Sequence, residues 1–139
     1  MAGNEFSVDI QKWIKKVDKN IGAFMLEFTQ DLAEDVVTHS PVDTGYFRSS
    51  WTAKIGSPDF TKGNETGGDT NSATTQSMTR IVANLIGVKG GDVVYISNNV
   101  DYGIYLEYGH SKKAPNGMVR EAISRAPSYA EKAARKVNK

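Results

Sequence analysis

The sequence predicts an α+β domain in which a long N-terminal helix and further helices pack on a small, mainly antiparallel sheet. From Val8 to His39, apolar residues recur at steps of three or four, a spacing typical of an amphipathic helix. Two short runs rich in β-branched and aromatic residues, 51–56 and 93–98, are typical of strands. Polar stretches with glycine separate these elements, so we expect a single domain over residues 1–139.

Composition excludes several functional classes. The chain has no cysteine, which excludes disulfides and thiol chemistry. Its longest apolar runs are a few residues, so we expect neither a membrane-spanning helix nor a secretory peptide. The net charge of +1 is unlike that of a strongly basic nucleic-acid binder. We therefore expect a protein that has no membrane partner and needs no cofactor.

The first helix is expected to be unusually long. At 1.5 Å per residue it would reach about 45 Å, so part of it should project or lie along a neighbour. Ser40-Pro41 should end it, because the residue before proline disfavours the helical region. Four lysines near its start (Lys12, Lys15, Lys16 and Lys19) and acidic residues near its end run against the helix dipole. Contact with another element or subunit would explain these charges, and so would solubility.

The next stretch should form a turn, a helical turn and a strand. Within Val42-Asp43-Thr44-Gly45, Asp43 or Thr44 can cap a helical turn that carries Phe47 and Arg48. In the strand, one face is expected to be buried (Trp51, Ala53 and Ile55), with Thr52 and Lys54 on the other face. Residues 57–77 are mostly Gly, Thr, Ser, Asn and charge, which predicts a flexible polar loop. An amphipathic helix is expected at about 78–87.

Residues 92–119 contain most of the specific information. Val93 to Asn98 is apolar on both faces, which favours a strand covered on both sides. Asn98-Asn99 should end it in a turn, and Asp101 can cap a short helix that Gly109 ends. Met118 then begins a last helix, whose apolar stripe is expected to include Val119, Ala122, Ile123, Ala126 and Ala130. Pro127 within that helix predicts a kink or a restart.

Three of the six tyrosines, Tyr102, Tyr105 and Tyr108, fall within seven residues. Each offers a flat apolar face and one hydroxyl that needs a partner. Two interpretations stay open: a core helix with its hydroxyls at the rim, or a surface that binds another protein.

Charge is distributed unevenly along the chain. Residues 27–43 hold five acids and no base, a net of −5, whereas residues 111–139 hold eight bases and two acids, 8 − 2 = +6. We expect copies to associate through these opposite patches. The candidate interface residues are Asp31, Asp35, Arg125 and Lys132. Two alternatives stay open: the patches face each other within one subunit, or both are solvated.

No motif carries recognisable chemistry. Phosphate loops, dinucleotide-binding glycines and zinc-protease motifs are absent. Glu107 and His110 form a single E-x-x-H, which falls short of a di-metal site, and capping of a helix end suits His110 better. A glycosidase would pair Glu107 with Asp101 or Asp43, but no cleft signal supports that. We therefore predict no enzyme, no catalytic residue and no metal site. If buried, Glu107 needs a basic partner, either Arg48 or a residue of the last segment.

Two segments together resemble the tail-completion (neck, head-to-tail joining) family of tailed bacteriophages. They are SPVDTGYFRSSW and, some forty residues later, VYISNNVDYGIYLEYGHSKKAPNGMV. The first motif is matched at Pro41, Asp43, Thr44, Gly45 and Arg48. The second motif is matched at Asn98, Asn99, Tyr102, Leu106, Glu107, Tyr108, Gly109, Pro115 and Gly117. Tyr46-Phe47 and Pro127 depart from the family pattern.

The resemblance implies a structural virion protein of the head-tail junction: a tail-completion, neck or tail-terminator protein that forms an oligomeric ring. Its implied partners are further copies and other neck and tail proteins, with genomic DNA passing through the lumen and contacted at most non-specifically. Its implied location is the virion, after assembly in the host cytoplasm. The alternative from another class is a nucleic-acid-binding accessory protein that uses the basic C-terminal segment.

Overall fold

The computed structural model describes residues 2–42, 45–63, 69–101, 103–108 and 116–138. These ranges contain seven elements, in the order helix, helix, strand, helix, strand, helix, helix. The elements are α1 (Ala2–Thr38), α2 (Tyr46–Ser49), β1 (Trp51–Ile55), α3 (Thr70–Asn84), β2 (Val94–Asn98), α4 (Gly103–Glu107) and α5 (Val119–Val137). The α+β class is confirmed.

The long first helix is confirmed, and it starts earlier than predicted. It begins at Ala2 rather than Val8 and ends at Thr38, just before Ser40-Pro41. Lys12 to Lys19 therefore lie more than two turns from its start. Because the dipole acts within the first and last turns, the expected conflict between these lysines and the dipole does not exist. The acidic residues of the last turn remain, and Asp35 is buried there.

The two strands pair antiparallel, as predicted, with Trp51 opposite Asn98 and Ile55 opposite Val94. Two details of the prediction were wrong. Thr52 is buried rather than exposed, because the loop after β1 folds back onto its hydroxyl. The second strand is not covered on both sides, since the Tyr95 side chain is 40% exposed.

The expectation of a loop through residue 77 was also wrong, because α3 already begins at Thr70. The Asp69 carboxylate caps this helix and accepts a hydrogen bond from the Ser72 amide (2.9 Å). The first half of α3 turns Ala73 and Ser77 inward, and both are fully buried. Small and polar residues therefore form a packed helix face that the apolar pattern does not reveal. The flexibility of the remaining loop stays a prediction, and residues 64–68 lie outside the described residues.

The last helix, α5, continues from Val119 to Val137 with Pro127 inside it. The helix therefore does not restart at Pro127, and the other predicted outcome, a kink at this residue, stays a prediction. The predicted apolar stripe was wrong at Val119 and Ile123, which are 37% and 61% exposed, whereas Ala122 and Ala133 are buried. The helix thus packs on α1 through small side chains and leaves a large apolar side chain in solvent.

The core lies where the C-terminal half of α1 meets the sheet, α3 and the start of α5. Trp51 and Phe47 pack edge to face there, with ring centroids 5.6 Å apart. Its buried residues are Ala33, Val36, Val37, Phe47, Trp51, Ala53, Ile81, Leu85, Val100, Met118 and Ala122. Both sequence motifs contribute residues to this region.

Candidate functional site: the two motif clusters

Arg48 of the first motif closes the C-terminal end of α1. Its guanidinium donates to the Ser40 carbonyl from Nε (3.1 Å) and Nη2 (2.6 Å), and to the Thr38 carbonyl from Nη2 (2.9 Å). A further hydrogen bond from Nη1 reaches the Thr74 hydroxyl of α3 (3.3 Å). The terminal carbonyls of a helix have no partner within the helix, so a donor from elsewhere satisfies them. Burial lowers the pKa of Arg48. This arginine joins α1, α2 and α3.

The chain around Arg48 is held by a second set of contacts. The Trp51 indole donates to the Ser40 hydroxyl (2.7 Å), which itself donates to the Val36 carbonyl (2.7 Å). Gly45 has a φ of 86°, a left-handed conformation that glycine adopts without a steric cost. Pro41 is half-buried between α1 and this turn. The first motif thus forms the corner between α1 and β1.

Asn98 and Asn99 connect the second motif to the first. The Asn98 side chain donates to the Phe47 carbonyl (2.8 Å) and accepts from the Val100 amide (3.1 Å). The Asn99 side chain donates to the Asp59 carbonyl (2.8 Å). The predicted end of the strand at these asparagines is confirmed, and their side chains also fasten neighbouring loops.

The Glu107 side chain caps the N-terminus of α5, although it lies 11 to 13 positions before the capped amides. Its Oε1 accepts from the amides of Met118 (2.9 Å) and Val119 (2.8 Å), and its Oε2 accepts from the Arg120 amide (3.0 Å). The Arg120 guanidinium also donates to this carboxylate (Nε to Oε2, 3.1 Å) and to the Glu107 carbonyl. The predicted basic partner is therefore in the last segment, and it is not Arg48. This cap joins α4 to α5.

The environment of Glu107 keeps it ionised. Burial raises its pKa, but the three amide hydrogen bonds and that of Arg120 together lower the pKa below its ordinary value. A carboxylate with these partners is unsuited to donate a proton near neutral pH. Asp101, one of the two carboxylates that a glycosidase would pair with Glu107, is exposed and lies in the turn before α4. The geometry is that of a structural cap.

Gly117 is required by the same cap. Its φ is 82°, and a Cβ placed on it would lie 2.5 Å from Glu107 Oε2. Any side chain at this position would displace the carboxylate from the amides. Beside the cap, the Arg120 guanidinium lies over the Tyr108 ring at 5.4 Å, a cation–π contact. Tyr108 is 66% exposed, so this part of the motif reaches the surface.

Asp59 is a structural residue that the sequence analysis missed. Its carboxylate accepts from the hydroxyls of Thr52 (2.7 Å) and Thr61 (2.6 Å) and from the Asn84 amide group (3.1 Å). Burial raises its pKa, but these hydrogen bonds and that of the Thr61 amide outweigh it and lower the pKa to about 2. The Thr61 amide, two residues on, also donates to it (2.9 Å). An Asx turn was the available sequence signal.

Arg80 was missed as well. From α3, its Nη1 donates to the carbonyls of Ser49 (3.0 Å) and Trp51 (2.9 Å). These carbonyls lie where β1 begins, on the side that β2 does not pair with. No sequence pattern identifies such a contact, because it joins residues about thirty positions apart.

The four candidate interface residues pair with one another inside one chain. Arg125 donates to Asp35 in two hydrogen bonds (2.6 and 2.7 Å), and Lys132 lies 3.6 Å from Asp31. Tyr129 also donates to Asp35. The hydrogen bond from Arg125 lowers the pKa of Asp35, burial opposes it, and Tyr129 lowers the pKa further. The structure therefore shows the alternative in which the two patches meet within one subunit, and pairing between copies would require these contacts to break.

The remaining motif positions divide into two groups. Leu106 is partly buried and packs against the core. Six residues named in the sequence analysis lie outside the described residues: Asp43, Thr44, Tyr102, Gly109, His110 and Pro115.

Within the described ranges there is no group of three or more His, Cys, Asp or Glu that could hold a metal ion. No helix in that part of the chain is long and apolar enough to cross a membrane.

Comparison with known proteins identifies the family. A family model described as "Bacteriophage HK97-gp10, putative tail-component" matches residues 4–109. This region includes nearly all of α1, both strands and most residues of the two motif clusters. No curated protein and no solved structure matches the chain. The chain belongs to this family of bacteriophage tail components.

Proposed function

We propose that this protein is a structural component of the head-tail junction, where copies form a ring that joins the tail tube to the capsid connector. The observation that carries the proposal is the family match over residues 4–109. The junction, as opposed to another part of the tail, is inferred from the likeness of both motifs to those of tail-completion proteins. Other neck and tail proteins would bind to the faces of the ring.

The geometry supports a structural role. The motif residues Arg48, Asn98 and Glu107 direct their side chains at backbone groups of neighbouring elements. Each of them closes a helix end or fastens a loop, so their chemistry is used in holding the fold. A catalytic group would instead have to reach a substrate in a cleft. We therefore assign no enzymatic activity to the two motif clusters.

The alternative of a nucleic-acid-binding protein that uses the C-terminal segment is disfavoured. The cations of this segment that the structure describes are engaged by acids of the same chain: besides the pairs with Glu107, Asp35 and Asp31, Lys136 lies 3.1 Å from Glu27 and Arg135 lies 3.5 Å from Glu131. A carboxylate beside a cation repels an approaching phosphate, so a paired cation attracts DNA less strongly than an unpaired one. The sequence charge of +6 thus overstates the cations that this segment can offer.

The proposal can be tested by deleting the gene from the encoding phage and examining particles by negative-stain microscopy. We expect separate filled heads and tails, with joining restored by the wild-type gene supplied in trans. As a matched control, Glu131→Gln should restore joining too, because this side chain is 70% exposed. If the phage that lacks the gene still produced infectious particles with heads joined to tails, the proposal would be contradicted. Absence of the protein from purified wild-type virions, measured by mass spectrometry, would contradict even the role as a virion component.

A further inference from the structure

Four lysines of α1 lie on one face of the helix and form a stripe. Lys12, Lys15, Lys16 and Lys19 stand at i, i+3, i+4 and i+7, and all four are exposed. Side chains at these spacings are neighbours on one helix face, and like charges there destabilise a helix. Local stability therefore does not account for the arrangement.

The stripe differs from the basic residues of α5 in its partners. The described α5 cations lie against acids of α1, of α4 or of α5 itself. In the part of the chain that the structure describes, none of the four stripe lysines forms an ion pair. Between residues 12 and 19, Asp18 is the single acid, giving 4 − 1 = +3. Asp9 is the nearest acid on the N-terminal side.

The stripe also lies on the N-terminal side of the contacts between α1 and α5. α5 runs along α1 from Asp35 to Glu27, and its last residues line a depression with Val17, Ile21 and Phe24. Lys12, Lys15 and Lys16 precede this depression along α1. Lys19 lies beside it and lines a second depression with Lys89 of the turn after α3.

We propose that this α1 lysine stripe contacts the phosphate backbone of double-stranded DNA without reading its sequence. From Lys12 to Lys19 the stripe spans about 10 Å of helix axis, and duplex DNA presents one negative charge per about 1.7 Å. Lysine is a point charge that pairs with single phosphates. The choice of DNA over another polyanion rests on the proposed function, in which the ring surrounds the passing genome.

The test is fluorescence anisotropy of a labelled 20-base-pair duplex titrated with the full chain at several salt concentrations. Four phosphate contacts should weaken binding about 100-fold between 50 and 200 mM salt. A variant with all four stripe lysines replaced by Gln should lose most of that binding and most of its salt dependence. The matched control replaces Lys132, Arg135, Lys136 and Lys139 by Gln, which removes the same charge from the C-terminal segment and should keep the wild-type affinity.

The outcomes separate this inference from the proposed function. Equal losses in both variants, or no binding by the wild-type chain, would overturn the stripe as a DNA contact while leaving the deletion experiment unaffected. Full DNA affinity in the stripe variant, together with loss of head-tail joining, would assign the lysines to a protein partner and also overturn it. Circular dichroism should show equal helix content in both variants, and an unfolded stripe variant would be replaced by the single change Lys16→Gln, with a loss of about one phosphate contact.

Discussion

At the scale of single residues, Glu107 offers the sharpest test. Replacing it with Gln keeps one acceptor for the α5 amides but removes the charge and one of the two carboxylate oxygens. We expect a loss of about 1 to 3 kcal/mol in the free energy of unfolding, because hydrogen bonds to charged groups contribute on that order. Urea denaturation measures it, with the exposed Glu131→Gln as the control expected within about 0.5 kcal/mol of wild type. Equal stability of the two variants would mean that the cap is not needed.

A second prediction at this scale concerns pH. Asp35, Asp59 and Glu107 all have a pKa below the ordinary value. A carboxylate with a lowered folded-state pKa contributes stability above its unfolded-state pKa and loses it as pH falls through the folded-state value. For Asp59 that window runs from the ordinary value of 3.8 down to about 2. Thermal melting in Asp59→Asn should therefore depend less on pH than wild type over this window, and parallel curves would contradict the assignment.

At the scale of elements, Trp51 and Leu106 anchor β1 and α4 on the core. Truncation of Trp51 to Ala should cost about 3 to 5 kcal/mol and truncation of Leu106 about 2 to 5 kcal/mol, since each leaves a cavity. These are large parts of the roughly 5 to 15 kcal/mol that stabilise such a domain. Ile86→Ala is the control, because that side chain is 77% exposed. A wild-type melting temperature in either truncation would place that residue outside the core.

Elements with a strong apolar period could be predicted from the sequence, and those without one could not. The apolar residues of α1 recur every three or four positions, and apolar and polar residues alternate in β1. These patterns identified both elements, because buried residues recur at the period of the helix or strand that carries them. The first half of α3 was missed, since its buried face consists of Ala73 and Ser77 and their hydropathy resembles that of a loop. The contacts of Arg80 and Asp59 could not be found either, because they depend on tertiary neighbours. Glu107 was identified as needing a basic partner, and the three amides that it caps were not.

At the scale of the whole molecule, the surface beside the Glu107 cap is the strongest candidate for contact between copies. Tyr108, Val119 and Ile123 are exposed around Arg120. Aromatic and Arg residues near apolar side chains are typical of the energetically important part of interfaces. The four candidate interface residues pair within one chain: Asp31, Asp35, Arg125 and Lys132. We therefore predict this surface, instead of those residues, as the contact between copies in the proposed ring.

The corresponding experiment introduces a charge at that surface. Ile123→Lys should reduce particle size in light scattering, in the presence of the phage's other tail proteins, because an unpaired charge would be buried at the contact. If the proposed junction role holds, it should also reduce head-tail joining. The melting temperature should stay close to that of wild type, since Ile123 is already exposed. Ile86→Lys is the matched control at a distant exposed isoleucine. Normal assembly by the Ile123 variant would place the contact elsewhere.

The ion pairs between α1 and α5 also fix how far the two helices can slide along each other. Moving α5 by one helical turn, about 5.4 Å, toward the start of α1 would place Glu121 next to Asp35, two carboxylates with no cation between them. Moving it the other way would separate Asp35 from Arg125 and leave Glu27 without Lys136, while Lys132 would move from Asp31 toward Asp35. The Asp35 side chain is fully buried, so the first displacement brings a second carboxylate to a buried charge, and the second replaces its two-hydrogen-bond arginine partner with a lysine. We therefore expect sliding of α5 along α1 to cost free energy in both directions, so the two helices should keep one register when force is applied along their axes.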